Sequence, residues 1–178
     1  MATRKSSSAP RKRVVREPSP AYRGLPSVWR ASEFPDRDTA LLLDTHVWLW
    51  MLDQTRGALT SDALTLIERA AAEHRLFVSD FSYWEVAMLV SKGRLRLATD
   101  VGIWLERAAQ APGVTTLSVS RDVLIQSTRL PGEPHGDPAD RILMAQAQTI
   151  GAALVTCDKG IVSYATRTPG IPVCDARA

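Results

Sequence analysis

Four acidic residues stand where a carboxylate can do chemistry. Asp44 closes the apolar run Ala40-Leu41-Leu42-Leu43, and Asp158 follows a second run, Ala152-Ala153-Leu154-Val155-Thr156-Cys157. Short apolar runs of this kind read as buried parallel strands, and open α/β sheets hold ligands at the carboxyl ends of such strands. Glu85 lies in the first turn of a helix opened by Ser82-Tyr83-Trp84, and Asp140 in the first turn of one opened by Asp137-Pro138-Ala139. Each acid also has an ordinary use. Ser82-x-x-Glu85 is a capping box, Asp137 suits an N-cap before a proline at the first helical position, and an Asp after a strand can shape a turn. Taken singly, Glu85 and Asp137 read as caps, while Asp44 and Asp158 are evenly divided between turn and function.

Position joins them, because strand ends and helix beginnings share one edge of a doubly wound sheet. Carboxylates crowded there repel and take up protons unless a cation neutralises them, and an all-oxygen donor set suits Mg²⁺ or Mn²⁺ rather than zinc. Such a site positions and activates water against a phosphoryl centre, which makes phosphodiester hydrolysis the natural reaction class.

The elements that must position these residues are legible as alternation. Strands are expected at 40–44, 76–79, 114–119 and 153–157, with a short fifth, edge strand at 171–174. Helices are expected at about 46–52, 61–74, 82–92, 101–110, 121–130 and 137–150, with a poorly defined turn at 161–166. This is the pattern of a parallel sheet of four or five strands wrapped by helices.

Composition bounds the rest. The 178 residues, 45% hydrophobic, suffice for one domain with a real core. No apolar run approaches the roughly 18 to 20 residues that cross a bilayer, and the basic N-terminus lacks an apolar secretory segment, so the cytoplasm is the expected compartment. Cys157 and Cys174 read as free thiols, and His46, His74 and His135 show no zinc-ligand spacing. Residues 1–40 carry a balance of +5 and the remainder −2, so the basic character belongs to the first segment. That segment, 1–39, is rich in Ser, Pro and Arg and reads as a disordered leader, with 40–178 as the folded domain. A solvated leader is preferred over a nucleic-acid-binding arm, because basic composition alone carries little specificity.

Four blocks, 41–50 (LLLDTHVWLW), 79–95 (SDFSYWEVAMLVSKGRL), 135–147 (HGDPADRILMAQA) and 154–158 (LVTCD), together resemble the PIN-domain ribonucleases, and among them the VapC-type toxins of toxin-antitoxin pairs, over about residues 40 to 175. The resemblance implies a three-layer α/β/α fold and a Mg²⁺-dependent endoribonuclease. It implies that Asp44, Glu85, Asp140 and Asp158 form the acidic quartet, Asp44 and Asp140 being the direct metal ligands, with Thr156 supporting them from behind. It further implies an RNA substrate, an antitoxin covering the acidic crevice, and a homodimer. Asp137 stays a secondary, structural candidate. Ala139 departs from the family in standing where relatives often place an aromatic residue.

Trp48, Trp50, Trp84 and Trp104 read as core or interface rather than base-stacking platforms, and Lys92, Arg94 and Arg96 as a solvated basic turn rather than phosphate contacts. Asp44-Thr45-His46 lacks the second Asp of the aspartate-nucleophile phosphatases. The strand ending in Val119-Ser120 lacks the acceptor of a receiver domain. The competing functional reading is a non-catalytic RNA- or protein-binding module that uses the basic leader.

Overall fold

The computed structural model describes residues 27–34, 38–53, 58–134 and 136–177. Most of the expected leader, and His135, lie outside the described residues. Six strands form one sheet: β1 (Val28–Arg30), β2 (Leu41–Leu43), β3 (Leu76–Ser79), β4 (Val114–Leu117), β5 (Ala153–Thr156) and β6 (Val173–Asp175). Their spatial order is β1-β6-β5-β2-β3-β4, and every pair is parallel. Seven helices connect them: α1 (Thr45–Asp53), α2 (Ser61–Ala72), α3 (Asp80–Ser91), α4 (Val101–Ala109), α5 (Arg121–Ser127), α6 (Pro138–Ile150) and α7 (Lys159–Arg167).

Three consecutive leucines make a strand here because both faces of the sheet are covered, which is the condition under which parallel strands read as continuous apolar runs. Leu41 and Leu43 pack with Val47 and Trp48 of α1, Ile67 of α2 and Ala108 of α4, while Leu42 packs on the opposite face with Leu143 of α6 and Tyr164 of α7. The result is three layers. α3 serves both cores, sending Val86 into the first and Phe81 against the second.

From β2 the chain extends the sheet one way through β3 and β4 and the other way through β5, β6 and β1. The reversal falls between β2 and β5, whose carboxyl ends therefore flank the crevice at the topological switch point. α6 runs back towards the start of β5, so its N-terminus lies at that same edge. Asp137 caps this helix by accepting from Ala139 N, Pro138 fills the first position, and Gly151 at φ 69° ends it in the left-handed conformation.

Three expectations are corrected. The sheet has six strands rather than four or five. The extra one, β1, lies inside the segment read as a disordered leader: Val28–Arg30 is too short and too close to Pro26 and Pro35 to register as a strand, and long-range pairing with β6 makes it one. That pairing also covers β6, which is consequently not an edge. Finally, α3 starts earlier than expected. Its N-cap is Ser79, whose side chain accepts from Phe81 N, so the capping box assigned to Ser82 and Glu85 does not form.

Candidate active site

Asp44 emerges from the central strand with its backbone still in the ladder, donating from N to Val155 O at 3.0 Å. Its side chain is 7% exposed. A carboxylate so buried needs donors, and two converge on it: His46 N reaches Oδ1 at 3.1 Å and Thr156 Oγ1 reaches Oδ2 at 2.5 Å. Burial pushes the Asp44 pKa up, the Thr156 and His46 contacts pull it back, and Asp158 pushes it up again.

Thr156 is itself fully buried and links two acids. While its hydroxyl donates to Asp44, its oxygen accepts from Asp158 N at 2.9 Å, which fixes the turn out of β5. Asp158 then caps α7, with Oδ1 accepting from Ile161 N at 2.9 Å. Asp158 is thus a cap as well as a candidate site residue.

Glu85 stands in the second turn of α3 and is held from across the crevice. Thr45 Oγ1 lies 2.6 Å from Glu85 Oε2 and 2.8 Å from Ser82 Oγ. A hydroxyl has one proton. Thr45 has both Glu85 Oε2 and Ser82 Oγ within reach of that one proton, so the two acceptors share it and Thr45 ties Glu85 to Ser82 across the crevice. Thr45 was not singled out from sequence, and Ser82 only as a cap of α3. The usable signal was polarity at buried helical positions, because Thr45 and Ser82 face inward where an apolar residue would otherwise sit.

Asp140 lies half-buried in the first turn of α6. Desolvation first, then the charges of Asp44, Asp137, Asp158 and Glu85, push its carboxyl up to about 8. Burial likewise raises Glu85, against the Thr45 hydrogen bond, with Asp44 and Asp137 adding to the rise. The four acids named from sequence therefore share one electrostatic site, although they arise from β2, α3, α6 and the end of β5. Among the described residues no three His, Cys, Asp or Glu side chains form a ready-made metal cage. The donors nevertheless fit a hard divalent cation in kind: all are oxygens, and their mutual repulsion is what such a cation relieves.

Beside the acids runs a groove of about 1060 Å³ that includes His46, Glu85 and Asp137 at one end. It is lined by the apolar Leu49, Leu89 and Trp104 and by the basic Lys92, Arg94, Arg96 and Arg107. Lys92, Arg94 and Arg96 are exposed, as expected of a solvated basic turn, and they also line this groove. Trp48 is fully buried against Tyr83 and Trp104, as expected of a core residue, whereas Trp84 is 53% exposed on this groove. His46, with a side chain 58% exposed, keeps Nδ1 3.9 Å from Asp44. Both cysteines are free thiols, and burial raises them, Cys157 to about 11.

A parallel sheet with an acidic crevice at its switch point defines a class, and comparison identifies it. The PIN domain family model matches residues 41–166, and the chain belongs to that family. It is 34% identical over 128 residues to Ribonuclease VapC22 of Mycobacterium tuberculosis, covering 71% of this chain and 92% of that protein. Two solved structures share the fold: VapBC2 of Rickettsia felis bound to a DNA fragment from its promoter (TM-score 0.56, 16% identity, 75% of this chain and 96% of that one), and DNA-bound VapBC of Salmonella typhimurium (TM-score 0.52, 17% identity, 76% and 96%). The chain is accordingly a homologue of a VapC ribonuclease.

Proposed function

We propose that the chain is an endoribonuclease that hydrolyses RNA phosphodiester bonds with Mg²⁺, or Mn²⁺ in its place, and that it is the toxin of a toxin-antitoxin pair. What supports this reading is that the charges of Asp44, Glu85 and Asp158 all act on the carboxyl of Asp140, and that Thr156 bonds both Asp44 and Asp158 N. Asp44 and Asp140 would hold the cation, with Glu85 and Asp158 completing the site. A divalent cation bound there offsets the carboxylate repulsion, stabilises charge on a phosphoryl oxygen and makes a water more acidic. Thr156 favours the charged form of Asp44, against the burial that raises its pKa, and orients the carboxylate. Thr45 occupies Oε2 of Glu85, which leaves Oε1 to take a proton from the attacking water. The elevated pKa of Glu85 makes it a better base for that step than an ordinary carboxylate.

The partners follow from the same site. An antitoxin segment with apolar residues for Leu49, Leu89 and Trp104 and acidic ones for Lys92, Arg94 and Arg96 would lead to the crevice and cover it. That the solved neighbours are VapBC complexes supports this partner. The exposed Leu124 and Ile125 of α5 offer apolar surface to a second copy. No helix among the described residues is long and apolar enough to cross a membrane, and an RNA substrate agrees with a cytoplasmic setting.

The test is cleavage of total cellular RNA by purified protein with Mg²⁺ or Mn²⁺, beside EDTA and a folded Asp140→Ala control. Discrete fragments that vanish in both controls support the reading. Intact RNA under all conditions, with tight RNA or partner binding, replaces it with a non-catalytic binding module.

A further inference from the structure

The carboxyl end of β6 brings a cation to the same edge as the acids. Asp175 pairs in register with Thr156, and Ala176 N donates to Thr156 O at 2.9 Å, so the segment leaving β6 runs alongside the segment that carries Asp158. The next residue is Arg177. Asp175 holds it by three contacts: Oδ1 accepts from Arg177 N at 3.0 Å and from Nε at 3.1 Å, and Oδ2 accepts from Nη2 at 2.9 Å. The Asp175 carboxylate is mostly buried, its side chain being 14% exposed, while that of Arg177 is 31% exposed. The charge of Asp158 reaches Arg177, and Arg177 in turn acts on the neighbouring Cys157.

An ion pair this local, between residues two apart with the guanidinium partly in solvent, contributes little to stability. Its geometry has another consequence. A guanidinium has five N–H donors, and Asp175 takes two of them, so the remaining donors are presented in a fixed plane at the rim of an acidic crevice. Planar paired donors match phosphate oxygens, and a pre-positioned fork loses little entropy on binding one. The acids repel an RNA backbone at this edge; a held cation beside Asp158 counters that repulsion.

We propose that Arg177, oriented by Asp175, binds a backbone phosphate of the RNA next to the cleavage site and so sets where the strand lies across the acids. This rests on the ribonuclease reading of the crevice. Arg177 is then a substrate-binding residue, and Asp175 a positioning residue that acts through it.

The experiment compares Arg177→Ala, Arg177→Lys and Asp175→Asn with the wild type in two assays. The first is binding of a short, labelled, single-stranded RNA of mixed sequence in EDTA, followed against salt concentration. Loss of one phosphate contact should weaken binding roughly tenfold and lower the slope of log K against log salt by about 0.7 for Arg177→Ala. Arg177→Lys should retain the slope with weaker affinity, and Asp175→Asn should fall between. The second assay is steady-state cleavage with Mn²⁺, in which KM should rise about as much as binding falls while kcat stays within about twofold. Unchanged RNA binding and salt slope in Arg177→Ala would overturn the proposal, as would losses that merely track a lower melting temperature. If binding depends on Arg177 but the wild type cleaves nothing, the phosphate contact stands and the ribonuclease reading falls.

Discussion

Thr156 and Asp44, 112 residues apart in sequence, share a 2.5 Å hydrogen bond in which the threonine hydroxyl donates to Oδ2 of the carboxylate. Thr156 ends β5 and Asp44 follows β2, so the bond spans the two neighbouring strands at which the sheet reverses direction. The same hydroxyl oxygen receives Asp158 N. One atom therefore ties two of the four acids to each other.

Replacing Thr156 with Val keeps the shape and removes both hydrogen bonds. The buried Asp44 carboxylate then keeps His46 N at Oδ1 but loses its donor at Oδ2, which should cost roughly 1–3 kcal/mol in urea unfolding at neutral pH. RNA cleavage should fall by at least about tenfold, and Thr156→Ser should restore most of both. A Val variant with wild-type cleavage would show that Asp44 needs no orientation from β5.

Thr45→Val tests the other arm. Glu85 keeps its place on α3 but loses the bond to Oε2, and its pKa, already raised by burial, should rise further because the lowering contact is gone. The acidic limb of the pH–rate profile should therefore move to higher pH, with maximal cleavage reduced about tenfold or less. An unmoved limb would remove Glu85 as the titrating base.

Asp140 links pH to stability with a definite sign. Its carboxyl is raised from an ordinary 3.8 to about 8 in the folded protein, so over that window the folded state binds the proton more tightly than the unfolded one. In EDTA, stability should be highest below about pH 4 with respect to this group and decline as the pH rises to about 8. Asp140→Asn should flatten this dependence and melt above the wild type at pH 8. Thermal melts in EDTA from pH 4 to 8 decide it, and parallel curves for the two proteins would contradict the raised pKa.

Cation binding should reverse that penalty. Mn²⁺ at about a hundred times its Kd should stabilise the wild type by roughly 2.7 kcal/mol. Asp44→Asn and Asp140→Asn should lose most of the gain in calorimetric melts. Equal stabilisation of all three proteins would place the cation elsewhere.

Removal of residues 1–26 should leave the melting temperature nearly unchanged, whereas removal of residues 1–34 should lower it. The longer deletion strips β1 from β6 and takes Trp29, 8% exposed and packed edge-on to Phe34 at 5.9 Å, out of the fold. Trp29→Ala alone should cost about 3 kcal/mol. Equal melting of both truncations would return 27–34 to the leader.

Local chemistry made some elements readable and hid others. Leu76–Ser79 and Pro138–Ile150 match their expected bounds because their signals are short-range: an apolar run between polar residues, and an Asp-Pro start answered by Gly151. The start of α3 was misplaced because Ser79 and Ser82 are both plausible caps, and only the path of β3 makes Ser79 the one at the junction. β1 escaped notice because three residues have no period, and their conformation is imposed by a partner strand more than 140 positions away. The same limit applies to the site. The acids stood out by residue type at strand and helix ends, but Thr45 and Ser82 act across 37 residues, and no spacing rule announces such a contact. Arg177 is likewise meaningful only once β6 is known to lie beside β5.

The strand order also sets a schedule for synthesis. β2 and β3 can pair as soon as both have left the ribosome, but β5 must insert beside β2 before Asp44 meets Thr156 or Asp158. Asp140 and α6 arrive late as well, immediately before β5. A nascent chain therefore carries no assembled acidic crevice while most of its length is being made. For a protein proposed to cut RNA, the acids would come together only once the chain has been made as far as Asp158.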